Sequence, residues 1–412
     1  MNTMNSSDYI QLEEKYGAHN YHPLPVVLDR GEGVYVWDVE GKKYFDFLSA
    51  YSAVNQGHSH PKIVEALVNQ ASKLALTSRA FYNSKLGEYE KKITELFGFD
   101  KVLPMNSGAE AVETAVKIAR KWSYEVKGIA ENQAQIIVCD NNFHGRTTTI
   151  VSFSNDPDAS TNYGPFTPGF IKIPYNSLEA LEQILQDQSA TTAAFLVEPI
   201  QGEAGVYVPD AGYLKGALEL CKKYNVLFIA DEVQTGIART GQLIACHHEG
   251  VQPDILILGK ALSGGMYPVS AVLADDHIMN VIKPGQHGST FGGNPMACAV
   301  AMAALDVVAD EGLSERAEKL GKRFRDEIEK IITKTDLIVS VRGKGLLNAI
   351  IINDTQDSPT AWNLCVDLMK NGLLAKPTHG NIIRLAPPLV ITEEQLTECL
   401  AIIKKTVLEY KR

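Results

Sequence analysis

The chain has 412 residues, 45% apolar and 21% charged, with 32 glycines and 18 prolines. At roughly 150 residues per domain this leaves room for about two or three globular domains, and the composition excludes a disordered or collagen-like chain. Thirty-nine Lys and Arg against 49 Asp and Glu give a net charge of −10 with no basic run to offset it, a poor balance for binding a phosphate backbone.

In chain order, the first eight residues lack the charged-then-apolar layout of a signal peptide, and no arginine precedes Arg30. The expectation is a chain without a leader, in the cytoplasm. Gly31-Glu32-Gly33 and Glu40-Gly41 predict hairpin-like strands within the first 55 residues. His58-Ser59-His60 precedes Pro61 and has too few ligands beside it for a metal, so it reads as a turn before a helix; His247-His248 likewise lacks the spacing of a helical zinc pair. Ser107, followed three residues later by Glu110, predicts a capping box. It opens a helix on which Val112, Ala115, Val116 and Ala119 share one face.

Residues 136–139, 194–197, 226–230 and 255–258 read as strands, and amphipathic stretches separate them. Near-continuous apolar strands alternating with helices predict a mostly parallel sheet covered on both faces. The longest apolar run, residues 296–305, is about half of the roughly 20 needed to cross a bilayer. Residues 314–332 and 392–410 read as helices, with a strand at 349–352 between them. The expected fold is α/β: a large domain over 56–305 with the mostly parallel central sheet, and a smaller α+β domain formed by both chain ends, 1–55 and 306–412. Six scattered cysteines without a Cys-x-x-Cys pair read as reduced thiols, not a disulfide framework or zinc site.

The chemistry is concentrated where strands end. Glu198, Asp231, Glu232 and Lys260 each follow a strand-like run, and in open α/β sheets ligands bind at the carboxyl ends of the strands. Each alone reads more readily as a solvated strand end; together they suggest a site. A lysine amine can form a Schiff base with a carbonyl cofactor. Pyridoxal phosphate held this way needs an acid against its pyridine nitrogen, which Asp231 could supply. The helix opening at Ser107-Gly108-Ala109-Glu110 offers free amides and a positive dipole end to a phosphate.

Five motifs then occur in order: Ser107-Gly108-Ala109-Glu110-Ala111, Phe143-His144-Gly145-Arg146-Thr147, Asp231-Glu232-Val233-Gln234-Thr235-Gly236, Leu258-Gly259-Lys260-Ala261-Leu262-Ser263-Gly264-Gly265 and His287-Gly288-Ser289-Thr290-Phe291-Gly292-Gly293-Asn294-Pro295. The set resembles the class III, fold-type I pyridoxal-phosphate aminotransferases over nearly the whole chain, from Tyr16 to the C-terminal helix. The resemblance implies pyridoxal 5′-phosphate as cofactor, with Lys260 as the lysine that carries it and later shuttles the proton. It implies Asp231 at the pyridine nitrogen, Gln234 at the ring hydroxyl and Phe143 stacked on the ring. Ser107, Gly108 and Ala109 would hold the phosphate, and Glu198 would orient the surrounding residues. Ser289 and Thr290 would reach the phosphate of a neighbouring subunit's cofactor, implying a homodimer with shared active sites.

Within the class, residues 16–21, 23–28 and 48–58 resemble the ornithine aminotransferase branch. Acetylornithine members usually carry small residues where Tyr51 and Ser52 stand, and Thr-Thr where Ser289-Thr290 stands. Small-molecule substrates, ornithine and 2-oxoglutarate, follow as expected partners, without nucleic acid or membrane. Arg146 would grip the ornithine carboxylate and Tyr21 its α-ammonium, beside Tyr51. Arg384 would bind the α-carboxylate of 2-oxoglutarate, and Glu203 would mask Arg384 while ornithine is bound. The alternatives on the same scaffold are acetylornithine or 4-aminobutyrate aminotransferase, an isomerase or a decarboxylase. A non-catalytic binding protein is the rival from another class.

Overall fold

The computed structural model describes residues 4–411; residues 1–3, the start of the segment read as leaderless, lie outside the described residues. Strands β1 (Leu28–Glu32), β2 (Tyr35–Asp38) and β3 (Lys43–Asp46) form an antiparallel meander. Its two turns pass through Gly33 (φ +58°) and Gly41 (φ +84°), a backbone conformation that glycine adopts without a Cβ clash. These are the expected hairpins.

Seven strands build the central sheet: β4 (Lys101–Met105), β5 (Gln135–Cys139), β6 (Phe170–Ile173), β7 (Thr192–Val197), β8 (Leu227–Asp231), β9 (Ile255–Leu258) and β10 (Ser270–Ala274). Their spatial order is β4-β10-β9-β8-β7-β5-β6. β10 runs antiparallel to both neighbours, and every other pairing is parallel. Every residue of β7, β8, β9 and β10 is buried, as a sheet covered by helices on both faces requires. The helix Gly108–Trp122 packs on one face and buries Val112, Ala115, Val116 and Ala119, the predicted stripe.

The last strands are β11 (Ile338–Lys344), β12 (Leu347–Ile352), β13 (Leu373–Leu374), β14 (Lys376–Thr378) and β15 (Ile382–Leu385). Four of them make an antiparallel sheet in the order β11-β12-β15-β14, while β13 pairs in parallel with β3. Helices Leu313–Ile332 and Glu393–Glu409 lie within a residue of their predicted starts. The β3–β13 pairing ties the two chain ends together, and on it we propose the division into 56–305 and the paired ends 1–55 and 306–412.

A buried arginine joins these parts. Arg239, in the loops after β8, donates through Nη1 to the carbonyls of Leu346 (3.0 Å) and Pro387 (2.7 Å) and through Nε to Asn55 Oδ1 (3.1 Å). Asn55 in turn donates to the Ile237 carbonyl (2.8 Å). Burial pulls the Arg239 guanidinium down to about 9.

Candidate active site

The carboxyl edge of the central sheet forms one wall of the site. Asp231 is the last residue of β8, Glu198 follows β7 directly, and Lys260 opens a short 3₁₀ turn just after β9. With Gly108, Ala109, Phe143, His144, Glu203 and Gln234 they line a cavity of about 200 Å³. Lys260 sits there with φ +45°, an uncommon conformation for a side-chain-bearing residue. Its ammonium makes no hydrogen bond among the described residues. Burial, with the charge of Arg384 acting in the same direction, lowers Lys260 to about 8 against the opposing pull of Glu203, Asp231 and Glu198. A lysine so shifted is a usable nucleophile and base near neutral pH.

Asp231 Oδ2 accepts a 2.6 Å hydrogen bond from His144 Nδ1, and Oδ1 accepts from the Val233 amide at 3.0 Å. Burial pulls His144 down, but the hydrogen bond to Asp231 and the charges of Asp231 and Glu198 prevail, so the imidazole is raised above its ordinary value. His144 Nε2 is buried without a partner. Sequence reasoning gave His144 no role. Its only signal is its place beside Phe143, since Asp231 is 87 positions away.

Glu198 spends its carboxylate on backbone. Oε1 accepts from the Phe143 amide (2.8 Å) and Oε2 from the Gly202 amide (3.4 Å). Burial pushes it up to about 7, against the opposing charge of His144. It therefore positions the loops carrying Phe143 and Gly202. Glu232, expected at the same edge, is directed elsewhere: it accepts from the Cys246 amide (2.8 Å) and from the Thr235 hydroxyl.

Beside Gly108 and Ala109, the capping box forms as predicted. Ser107 Oγ accepts from the Glu110 amide (3.2 Å), and Glu110 Oε2 accepts from the Ser107 and Asn106 amides (both 2.9 Å). Ser107 Oγ accepts in this cap and Ser107 does not line the cavity, whereas Gly108 and Ala109 do. A Cβ on Gly108 would lie 2.9 Å from Val233 Cγ1, so a larger residue would push the helix start away.

Arg384, on β15, closes the opposite side. Its Nη1 donates to Glu203 Oε2 (3.1 Å), the Gly202 carbonyl (3.3 Å) and Gln234 Oε1 (3.3 Å), while its buried Nε has no partner. The Tyr51 ring centroid lies 4.8 Å from Arg384 Cζ, within cation–π range. Burial raises Glu203, but Arg384, with Lys260 and His379, outweighs it and holds the carboxyl below its ordinary value. The expected Glu203–Arg384 pair is therefore formed. Gln234 needs the space beside Gly202, where an added Cβ would stand 1.6 Å from Gln234 Oε1.

Besides Ser107, Tyr51 and Arg384, which border the cavity's lining residues without lining it, four predicted residues stand outside this cavity. Arg146 is 59% exposed, 3.8 Å from the Asp156 carboxylate. Tyr21 is 72% exposed. Ser289 Oγ accepts from Asn106 Nδ2 (2.9 Å) and from the Gly292 amide (2.9 Å), and neither it nor Thr290 lines the cavity. No group of three or more His, Cys, Asp or Glu able to hold a metal occurs among the described residues.

Residues 16–407 match the family model described as aminotransferase class-III. The chain belongs to the class-III aminotransferases. The mitochondrial ornithine aminotransferase of Rattus norvegicus is 62% identical over 406 residues, 98% of this chain and 91% of the relative. The structure of an acetylornithine aminotransferase from Elizabethkingia anophelis is 78% identical, covering 99% of this chain and 100% of its own, with a TM-score of 0.92. An ornithine aminotransferase from Toxoplasma gondii, with partial occupancy of PLP at its active site, is 50% identical over 99% of this chain and 95% of its own, with a TM-score of 0.96. As a class-III aminotransferase, the protein belongs to a family of pyridoxal-phosphate enzymes.

Proposed function

We propose that this protein is an ornithine δ-aminotransferase. It moves the δ-amino group of L-ornithine to 2-oxoglutarate, giving glutamate and glutamate-5-semialdehyde, which cyclises to pyrroline-5-carboxylate; the reaction links arginine metabolism to proline biosynthesis. The cavity residues suit pyridoxal 5′-phosphate: an unpaired lysine amine, a buried carboxylate and helix-end amides border one space of about 200 Å³. When bound, the cofactor supplies an electrophilic aldehyde and a ring that accepts electrons from the substrate carbon. Lys260 holds it and afterwards moves the proton at the substrate carbon. Asp231 keeps a proton on the ring nitrogen, with His144 fixing the carboxylate. Gly108 and Ala109 give amides to the phosphate. Phe143 and Gln234, both lining the cavity, would hold the ring, Gln234 through Nε2 because its Oε1 is turned to Arg384. Arg146 grips the donor's carboxylate in fork geometry, and Tyr21 takes its α-ammonium.

The observation that carries this reading is the closed Arg384, held by Glu203 at 3.1 Å and covered by Tyr51. Ornithine has two free amines. An open arginine would take its α-carboxylate and present the wrong amine, whereas 2-oxoglutarate requires that arginine open. Glu203→Ala is therefore expected to lower the ratio of δ- to α-transfer about tenfold, within the range of one lost pocket contact. An unchanged product ratio by chromatography would rule the mask out.

The name of the Elizabethkingia anophelis structure favours N-acetylornithine as a second reading. Single-turnover mixing with ornithine, N-acetylornithine or 4-aminobutyrate, without keto acid, separates the candidates. Ornithine alone is expected to discharge the aldehyde-form absorbance rapidly and yield pyrroline-5-carboxylate; conversion only with another donor would move the substrate. Reloading of the apoprotein with cofactor follows the unprotonated Lys260 amine, so its rate is expected to rise with pH and level off above about 8. Stopped-flow absorbance measures it, and a midpoint at the ordinary lysine value would contradict the desolvated site.

A homodimer with shared sites is part of the proposal. A Cβ on Gly293 would meet Leu86 at 2.8 Å and Arg79 at 3.2 Å; in sequence, Phe81 and Tyr82 (70% and 106% exposed) lie near Arg79, and Phe291 (45%) follows Ser289 and Thr290. Large aromatics left exposed at adjacent positions, as at Phe81-Tyr82, suit an interface. Six free, buried cysteines suit a reducing compartment, and we assign the cytoplasm, although the rat relative is named mitochondrial.

A further inference from the structure

Ser49, Ala50, Tyr51 and Ser52 have φ of +50°, +45°, +58° and +71°. Four successive side-chain-bearing residues in the left-handed region, with no glycine among them, persist only where the surroundings over-determine them. Asp46 holds the entry. Its Oδ1 accepts from the amides of Leu48 (2.8 Å) and Ser49 (2.9 Å), and its Oδ2 from His58 Nε2 (2.8 Å). Ser49 Oγ donates to the Ala386 carbonyl (2.7 Å), two residues beyond Arg384, so the turn is stitched to the strand that carries the arginine.

His58 is itself fixed from the other side. It exchanges backbone hydrogen bonds with Gly33 (3.0 and 2.8 Å), and a Cβ on Gly31 would lie 2.9 Å from its ring. A continuous chain of contacts therefore runs from His58 through Asp46 and the strained turn to Tyr51, whose ring covers Arg384. Neither His58 nor Asp46 lines the active-site cavity.

We propose that Asp46 and His58 are positioning residues for donor specificity: their hydrogen bond holds the left-handed turn that keeps Tyr51 over Arg384. This rests on the functional reading above, in which Tyr51 and Arg384 border the substrate. Part of the motif His58-Ser59-His60 thus acts on the chemistry at second hand.

The test is a double-mutant cycle read as the ratio of kcat/KM for ornithine over 4-aminobutyrate, with Tm measured alongside. His58→Leu removes the donor and is expected to lower the ratio about tenfold, chiefly through KM for ornithine. His58→Gln, whose side-chain amide can donate to Asp46, restores the ratio to within about twofold. Tyr51→Ala lowers the ratio by itself, and adding His58→Leu lowers it no further, because both act through one ring. The proposal is overturned if His58→Leu loses Tm but keeps the wild-type ratio, or if the two effects multiply. Should His58→Leu fail to fold, His58→Ala, which also removes the donor, enters the same cycle under the same criteria. If the wild type refuses ornithine, the functional reading fails, and the cycle is read with N-acetylornithine against 4-aminobutyrate, where coupling or independence of His58 and Tyr51 still decides.

Discussion

Replacing Lys260 with alanine is expected to lower turnover of ornithine with 2-oxoglutarate by about 10⁴-fold, the upper range for a positioned proton-transfer group. The expectation follows from its surroundings. Nζ has no hydrogen-bond partner among the described residues, and burial lowers it to about 8. The cavity lining includes no other amine and no thiol: Glu198 is tied to two backbone amides, Asp231 to His144, and Glu203 to Arg384. Steady-state rates would be paired with borohydride reduction and peptide mapping. The wild type should yield a reduced adduct on the peptide containing Lys260, and the variant none. Activity within about tenfold of wild type, or an adduct elsewhere, would remove Lys260 from the mechanism.

The second large effect is expected at Asp231. Asp231→Asn keeps an oxygen able to accept from His144 Nδ1 at about the same place, but removes the charge. A loss of about 10²–10³-fold in the single-turnover rate is expected, the usual size for one preorganised electrostatic group. The variant should still bind cofactor in full stoichiometry, because Lys260 and the amides of Gly108 and Ala109 are untouched. His144 provides an independent readout. The Asp231 charge that helps raise it would be lost, so its imidazole, followed by nitrogen NMR, should titrate lower than in wild type. A variant with normal rates and an unmoved His144 would show that the carboxylate charge plays no part.

Much of the site was legible because it lies where strands stop. The apolar runs that became β7, β8 and β9 ended within a residue or two of their predicted ends, so Glu198, Asp231 and Lys260 were placed on one edge by counting. Counting did not separate Asp231 from Glu232. Successive residues leaving a strand point to opposite sides, and only packing decides that Asp231 takes the cavity while Glu232 turns to the Cys246 amide. The capping box was visible as a local pattern, yet only the packed structure shows that Gly108 and Ala109 line the cavity and Ser107 does not. The Glu203–Arg384 pair spans 181 positions; no local pattern relates the two residues, and it was anticipated only through the family resemblance.

The sequence by itself therefore determined the layered α/β architecture, the helix that opens at Ser107, the lysine and acid at the strand ends and the family they belong to. These depend on residue periodicity and on motifs a few positions long. Only the tertiary structure decided that His144 backs Asp231, that Arg239 is buried among carbonyls from distant loops, and that Ser49–Ser52 turns left-handed under Asp46 without a glycine to announce it. Each of these depends on groups from separate parts of the fold. Their energy exists only once the sheet, its crossovers and both chain ends have packed together.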